Sequence, residues 1–335
     1  MSSPCKRIEA LQVIRFRYIY QSPRHDSKDR VSGFSFTTLY YFHMQQIYIH
    51  GGLGNQMFQY AFYLYLKQHM TSSKTLSLDT SNFLLFPQHN GYELDRIFGI
   101  EGAVPLSFRN IARIGRWFNW SVHRTERKYL KYLRKRYGLI REKAEFKYDA
   151  SMVDQSGCFV GYWQHHDYLD SIREELQRTF VFPDLIDARD LDMTRLMEQT
   201  NSVSIHIRRG DYLLSKNSAL HVIKGLDYYH QAIERMRGLV DNPTFFIFSD
   251  DPEWVKENLA LDQAHYINWH KQDTSYIDMQ LMSLCKHNII ANSTFSFWGA
   301  WLNRNKGKVV MAPQFWYDRV ETKSLVPHDW QIIAL

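Results

Sequence analysis

Four short runs in this sequence have residue types suited to chemistry, and each lies where an apolar run ends. In Ser204-Ile-His-Ile-Arg-Arg-Gly-Asp-Tyr212 a β-branched strand closes on two adjacent arginines, a glycine and an aspartate. Paired guanidiniums are permanently charged, planar and bidentate, which suits a diphosphate. In Ile289-Ile-Ala-Asn-Ser-Thr-Phe-Ser-Phe-Trp-Gly-Ala-Trp301 a strand runs into hydroxyl-bearing residues that open a helix. Such residues either cap the helix or join its free N–H groups in holding a phosphate. In Phe246-Ile-Phe-Ser-Asp-Asp251 a buried strand ends on two carboxylates. Asp251 directly precedes Pro252 and is assigned as the helix cap, which leaves Asp250 as the candidate ligand-binding acid. In Gly51-Gly-Leu-Gly-Asn-Gln56 a glycine turn joins strand to helix and lets an anion or a sugar approach the backbone. Met57 stands where a dinucleotide fingerprint has its third glycine, and the Gly-Lys-Ser/Thr ending of a P-loop is missing.

Two other clusters invite a metal reading. Asp190-Leu-Asp192 matches an Asp-x-Asp metal motif but lies in a presumed linker, not at a strand end. His165-His166-Asp167 places adjacent histidines on a local turn, where they seldom converge on one ion. Both are read as structural.

The elements that must position these groups alternate. Gln46–His50 reads as a buried strand, residues 56–69 as a helix apolar almost all round, and Leu76–Asp79 as a second strand. Gly157–Trp163 is expected as a strand and Tyr168–Phe180 as a helix, with Pro183 and the acidic stretch 184–192 marking a boundary. Strands at 202–207, 244–249, 265–268 and 288–291 then alternate with helices at 226–236, 252–259, 276–286 and 297–303. This pattern predicts an α/β fold with doubly wound parallel sheet, whose ligands bind beyond the C-terminal ends of the strands. Residues 1–43 show no sustained period and are expected to be a mis-called start or a disordered extension. Residues 44–185 and 186–335 are expected as two α/β domains.

Charge excludes one class of partner. Of the formal +6, residues 1–43 contribute seven Lys/Arg against three acids, and the remainder holds 34 bases against 32 acids. A nearly neutral body is not a nucleic-acid binder. Residues 109–147 are the exception, with 13 Lys/Arg against three Glu and with Leu130, Leu133, Tyr137 and Ile140 at helical spacing. They read as an amphipathic helix pair with a solvated face, or as a peripheral contact for a membrane carrying anionic acceptors. The aromatic content of 15% also suits a carbohydrate site, although most rings fill cores. Three cysteines without paired spacing fit a reducing, cytoplasmic compartment. No apolar run reaches the 18 or so residues of a membrane span, and Arg15 and Arg17 interrupt the apolar stretch near the start.

Taken in order, Gly51–Gln59, Gly161-Tyr-Trp163, His206–Tyr212, Phe248–Asp251 and Asp278–Trp301 resemble the bacterial α-1,2-fucosyltransferases (glycosyltransferase family 11). They also resemble the wider superfamily of α-1,6- and protein O-fucosyltransferases. The resemblance runs from about residue 44 to the C-terminus. It implies a GT-B-like fold of two facing Rossmann-like domains with a cleft between them and GDP-fucose held by the C-terminal one. It further implies inversion at the anomeric carbon, with neither metal nor other cofactor. By position, His206 and Asp250 would meet the guanine, Arg208 and Arg209 would hold the diphosphate, and Thr294, Phe295 and Ser296 would close on it. Asn55, in the turn with Gly52 and Gly54, would reach across toward the fucose or the departing phosphate. Asp211 would orient the arginines or take the acceptor proton. The implied acceptor is a galactose-terminated glycan, on a surface polysaccharide or a lipid-linked oligosaccharide. Asn292-Ser-Thr294 is a glycosylation pattern inside the proposed donor loop, where a glycan would obstruct the site, in line with a cytoplasmic location. Other readings keep the donor fold with a different sugar nucleotide or acceptor, or make the protein a non-catalytic glycan- or anionic-polymer-binding module. Residues 80–160 offer no readable specificity motif.

Overall fold

A computed structural model describes residues 44–70, 75–86, 90–144, 146–208, 226–259, 261, 264–317 and 320–334. The proposed extension 1–43 lies outside the described residues, as do Arg209 and Asp211.

Short apolar strands followed by longer helices build two separate parallel sheets. In the first, β1 (Met44–Tyr48) pairs with β2 (Thr75–Asp79), and β3 (Leu139–Arg141) and β4 (Cys158–Val160) complete the order β2-β1-β4-β3. The β1–β2 crossover is α1 (Leu53–His69), which has neither Gly nor Pro after Gly54 and is buried over most of its circumference. A polar stripe is missing because both sides of this helix face protein.

Between β2 and β3 lie α2 (Glu93–Phe98), α3 (Leu106–Trp117) and α4 (Val122–Tyr137), with a single helical turn at Asn82–Leu85. The expected amphipathic pair is thus α3 and α4. Ser121 caps α4 by accepting from the Arg124 N–H at 3.3 Å. The inner face packs Phe108, Tyr129 and Leu133 against Tyr48 and Cys158 of the sheet. Tyr129 donates to Asp79 Oδ2 at 2.5 Å at the end of β2, and burial pushes the Asp79 carboxyl upward despite that bond.

The helix expected over 168–180 is broken into α5 (His166–Asp170) and α6 (Arg173–Thr179). The stretch 184–192, read as a linker, runs at Ala188 into α7 (Ala188–Gln199).

The second sheet contains β5 (Asn201–Ile207), then α8 (Asp227–Leu239), β6 (Pro243–Ser249), α9 (Pro252–Asn258) and β7 (Ala264–Ile267). It continues through α10 (Tyr276–Leu284), β8 (His287–Ile289), α11 (Thr294–Leu302) and β9 (Val310–Pro313). A small hairpin, β10 (Phe315–Tyr317) with β11 (Val320–Glu321), precedes β12 (Gln331–Ile333), and the sheet order is β12-β9-β8-β5-β6-β7, all parallel. As expected, Asp251 caps α9, accepting from the Trp254 N–H at 3.4 Å with Pro252 in the first turn.

The second sheet reverses winding direction once, between β5 and β8, while in the first the β2–β3 connection crosses past β1 and β4 to the far edge. The β5–β8 switch point leaves a crevice at the strand ends, where α/β sheets hold ligands. α1 and α11 bring the two sheets together. Phe58 lies 4.8 Å from Phe297 and 5.0 Å from Trp298 between ring centroids, and the Trp298 indole donates to Gly54 O at 2.9 Å. Burying each such side chain contributes roughly 1.5–3 kcal/mol. The far end of α11 is closed by Lys308, whose ammonium donates to Ala300 O at 2.7 Å and Asn303 O at 2.9 Å. Burial draws this amine down to about 8. Cys158 and Cys285 are buried and unpaired. Among the described residues no helix is long and apolar enough to cross a membrane.

Candidate active site

The turn after β1 is built by backbone conformation and two buried glutamines. Gly51 has φ +82°, and a β-carbon there would meet the Asn55 amide nitrogen at 2.8 Å. Gln59 accepts from the His50 N–H at 3.0 Å and donates to Gly161 O at 3.1 Å, tying the β1 turn to the β4 turn. Gln56 donates to Gly51 O and Gly91 O at 2.9 and 2.8 Å. Asn55 is left facing the cleft, where its Oδ1 accepts from Gln164 at 3.0 Å.

The turn after β4 presents Tyr162 and Gln164 beside it. Glu142 accepts from the N–H groups of Tyr162 and Trp163 at 2.8 and 3.2 Å. Trp163 takes φ +57°, a conformation costing about 1–3 kcal/mol, and stacks on Phe62 at 4.1 Å with 7° between the planes. The strain and the stack together turn the neighbouring side chains toward the cleft. Tyr162 sits 4.7 Å from His50, whose imidazole burial lowers to about 4.

Opposite stands the end of β5. His206 is buried, and burial, reinforced by Arg208, lowers its imidazole to about 3, so it is neutral. Its Nδ1 has no hydrogen-bond partner among the described residues, and the Phe295 ring lies 5.8 Å away. Arg208 reaches toward the start of α11, its Nη1 3.5 Å from Ser293 Oγ. Ser293 is the cap of that helix, accepting from the Phe295 N–H at 3.3 Å. The helix opens at Thr294, three residues earlier than the sequence pattern suggested.

α1 and α11 pack side by side with their N-termini together. A β-carbon on Gly54 would lie 2.6 Å from the Thr294 carbonyl carbon and 2.7 Å from its oxygen. Gly54 is therefore needed for helix contact more than for exposing its own backbone. A helix N-terminus carries roughly half a positive charge, so the start of α11 with the Arg208 guanidinium beside it suits an anion, whereas at the start of α1 the buried Glu93 carboxyl already stands against the Leu53 N–H.

Gly52, Gly54, Asn55, His206, Arg208, Asp250, Thr294 and Phe295 all line this one cleft of about 1030 Å³. Asp250 lies on its exposed rim. Ser296 does not face it. That residue is fully buried behind Thr294, and its hydroxyl accepts from the Ala291 N–H at 3.2 Å and donates to Ser293 O at 3.2 Å, so it braces the loop.

The wall past β7 depends on His270, which the sequence did not single out, and on two acids to which it gave no such role. His270 donates on both sides, to Asp278 at 2.6 Å and to Asp190 at 3.0 Å, and Asp190 also accepts from the Trp269 indole at 2.8 Å. Burial alone would lower the His270 imidazole, but Asp278 and Asp190 together hold it above its ordinary value. Asp190, met above in an Asp-x-Asp run, is thus a buried anchor for the loop that lines the cleft with Asn268, His270 and Lys271. Asn90 on the first half donates to Gln272 O at 2.9 Å, fastening the same loop from across the cleft.

His165, His166 and Asp167 come closer together than adjacent histidines usually do, with ligand atoms within 4.8 Å. Two of those atoms have structural jobs. His165 Nδ1 accepts from the Asp167 N–H at 3.2 Å as the cap of α5, and His166 Nδ1 lies 3.1 Å from Asp170.

Two parallel sheets whose strand ends line one cleft are the GT-B-like arrangement, and the protein is a glycosyltransferase. Residues 117–334 match the model of glycosyl transferase family 11, and the chain belongs to that family. It is 33% identical over 281 residues to an Escherichia coli alpha-1,2-colitosyltransferase, covering 83% of this chain and 93% of that protein. Identity is also 33% over 297 residues to the E. coli O-antigen biosynthesis glycosyltransferase WbnK, covering 84% and 97%. Human galactoside alpha-(1,2)-fucosyltransferase 1 is 26% identical over 266 residues, 76% of this chain and 64% of that one. Among solved structures, fucosyltransferase NodZ from Bradyrhizobium matches 77% of this chain and 91% of its own, at TM-score 0.41 and 14% identity.

Proposed function

We propose that this enzyme transfers L-fucose from GDP-fucose to a galactose hydroxyl in α-1,2 linkage, with inversion. The observation that carries the reading is Arg208 set beside the N-terminus of α11 at the β5–β8 switch point, on a cleft that the glycine turn before α1 closes from the other side. As the bond from the anomeric carbon to the phosphate oxygen breaks, its electron pair goes to GDP and the sugar becomes oxocarbenium-like. Fixed donors aimed at that phosphate strengthen as its charge grows, and so lower the barrier. The acceptor oxygen then attacks from the opposite face and gives up its proton, in this reading to the Asp211 carboxylate acting as general base. In this reading the neutral His206 imidazole and the Phe295 ring receive the guanine, with Asp250 at its polar edge, and Arg209 adds a second guanidinium to the diphosphate. Asn55, held by Gln164, faces the sugar from the first half. With this much positive potential from the protein itself, a divalent ion is not required.

The similarity to a colitosyltransferase favours a second reading, in which the donor sugar is colitose, fucose without its 3-hydroxyl. A site that hydrogen-bonds that hydroxyl would discriminate by about 10⁴–10⁵, so the two donors are separable. The test is GDP release from GDP-fucose, GDP-colitose, GDP-mannose and UDP-galactose with a β-galactoside acceptor in EDTA. GDP-fucose is expected to turn over at the highest kcat/KM with EDTA present. Preference for GDP-colitose would transfer the assignment to the second reading, and activity restored only by added Mg²⁺ or Mn²⁺ would contradict the metal-free mechanism.

A further inference from the structure

We propose that the outer face of the α3–α4 hairpin docks this enzyme on an anionic phospholipid surface. The inner face of the hairpin is already occupied by core packing, with Phe108, Tyr129 and Leu133 buried against the first sheet. The outer face is left apolar. Leu106, Ile114 and Trp117 are 72%, 46% and 87% exposed and fall within an arc of roughly 80° on a 3.6-residue helix. Phe118, 65% exposed, extends them at the tip. Other exposed large apolar residues are dispersed along the described chain, such as Leu84, Ile186, Leu239 and Leu284, whereas these four sit on one helix and the turn that follows it. Single exposed apolar side chains are ordinary, but a contiguous set marks a contact surface.

Charge identifies the occupant. Helices α3 and α4 carry ten Lys/Arg and a single acid, Glu126. Glu126 is turned inward, accepting from Tyr48 and Asn82 at 3.3 Å each. Arg124 and Lys128 lie over the Trp120 ring at 5.1 and 5.7 Å, which keeps two cations at the tip beside the exposed aromatics. A second copy of the chain would set two such cationic faces against each other. A soluble polyanion would leave the apolar stripe in water. An anionic bilayer accepts both, its phosphates meeting the Lys/Arg and its headgroup–acyl boundary receiving Trp117, Phe118 and Ile114.

The docking does not depend on which sugar is transferred, although of the two acceptors that the sequence resemblance implies it suits the lipid-linked oligosaccharide. α4 packs on Tyr48, three residues before the Gly51 turn, so a docked hairpin would hold the cleft at a fixed height over the membrane.

The experiment is co-sedimentation of the full chain with vesicles of phosphatidylcholine alone or of equimolar phosphatidylcholine and phosphatidylglycerol. Salt is raised from about 0.1 M to about 1 M, which shortens the Debye length from about 10 Å to about 3 Å. Attachment is expected only to the anionic vesicles and should be largely lost at high salt. Trp117→Ser with Phe118→Ser, and separately Arg113→Glu with Arg116→Glu, should each weaken partitioning about tenfold or more, because burying one such ring is worth at least that factor. These side chains are exposed, so the thermal midpoint and GDP binding should not move. Absence of attachment at low salt, equal attachment to neutral vesicles, or attachment unchanged in both double variants would overturn the proposal. So would light scattering showing a dimer that the Trp117→Ser/Phe118→Ser variant abolishes, since a second copy would then cover this face.

Discussion

Arg208→Ala is expected to lower turnover by roughly 10²–10³-fold, the usual cost of losing one preorganised donor aimed at developing charge. The guanidinium lies beside the α11 cap, 3.5 Å from Ser293 Oγ, and lines the cleft between the two helix N-termini. Because the phosphate gains charge as the sugar departs, the loss should fall mainly on kcat, with a smaller effect on KM. Arg208→Lys should recover only part of the rate, since an ammonium restores the charge without the planar, bidentate donation. Steady-state kinetics with GDP-fucose and a β-galactoside check this. An alanine variant with a near-normal rate would remove Arg208 from the mechanism.

Gly54→Ala is expected to damage both stability and rate through one added methyl group. Its β-carbon would sit 2.6 Å from the Thr294 carbonyl carbon, and backbone cannot rotate aside as a flexible side chain can. Relief requires α1 and α11 to separate, which also stretches the 2.9 Å bond from the Trp298 indole to Gly54 O. Overpacking of this kind costs about 1–3 kcal/mol, and leaving the buried indole without its acceptor adds roughly 1–3 kcal/mol. The two helix starts also line the proposed donor cleft, and a displacement of about 1 Å there can cost about 10²-fold in rate. Thermal unfolding read alongside kcat/KM tests both effects. Wild-type values for the two together would show that the helices do not meet as described.

The groups at strand ends were legible because their local sequence says most of what matters. An apolar run ending in Arg, Gly and Asp must expose those residues at the edge of a parallel sheet, and His206, Arg208, Asp250, Thr294 and Phe295 do line one cleft. Ser296 shows the limit of that logic. The Ser-Thr-Phe-Ser run offers several hydroxyls, and only the phase of α11, set by its start at Thr294, turns Ser296 inward while Thr294 and Phe295 face out. The pairing of Asp190 and Asp278 through His270 was illegible for a different reason. Asp190 is 80 residues from His270, so no spacing rule connects them, and their pairing depends on how α7 packs beside the β7–α10 loop. The region after β2 resisted reading because its short elements are held by distant partners such as Tyr129–Asp79 and Asn90–Gln272. The buried glutamines Gln56 and Gln59 on an otherwise apolar helix were the available signal that the glycine turn is braced from within.

The most direct test of the proposed pyrophosphate site is a crystal structure of the full chain grown with GDP and EDTA. The β-phosphate should lie within hydrogen-bonding distance of Arg208 and of the first-turn N–H groups of α11, facing the α1 N-terminus, with guanine beside His206 and Phe295. Nucleotide bound away from the β5–β8 switch point, or an Arg208 side chain turned from the phosphates, would contradict it.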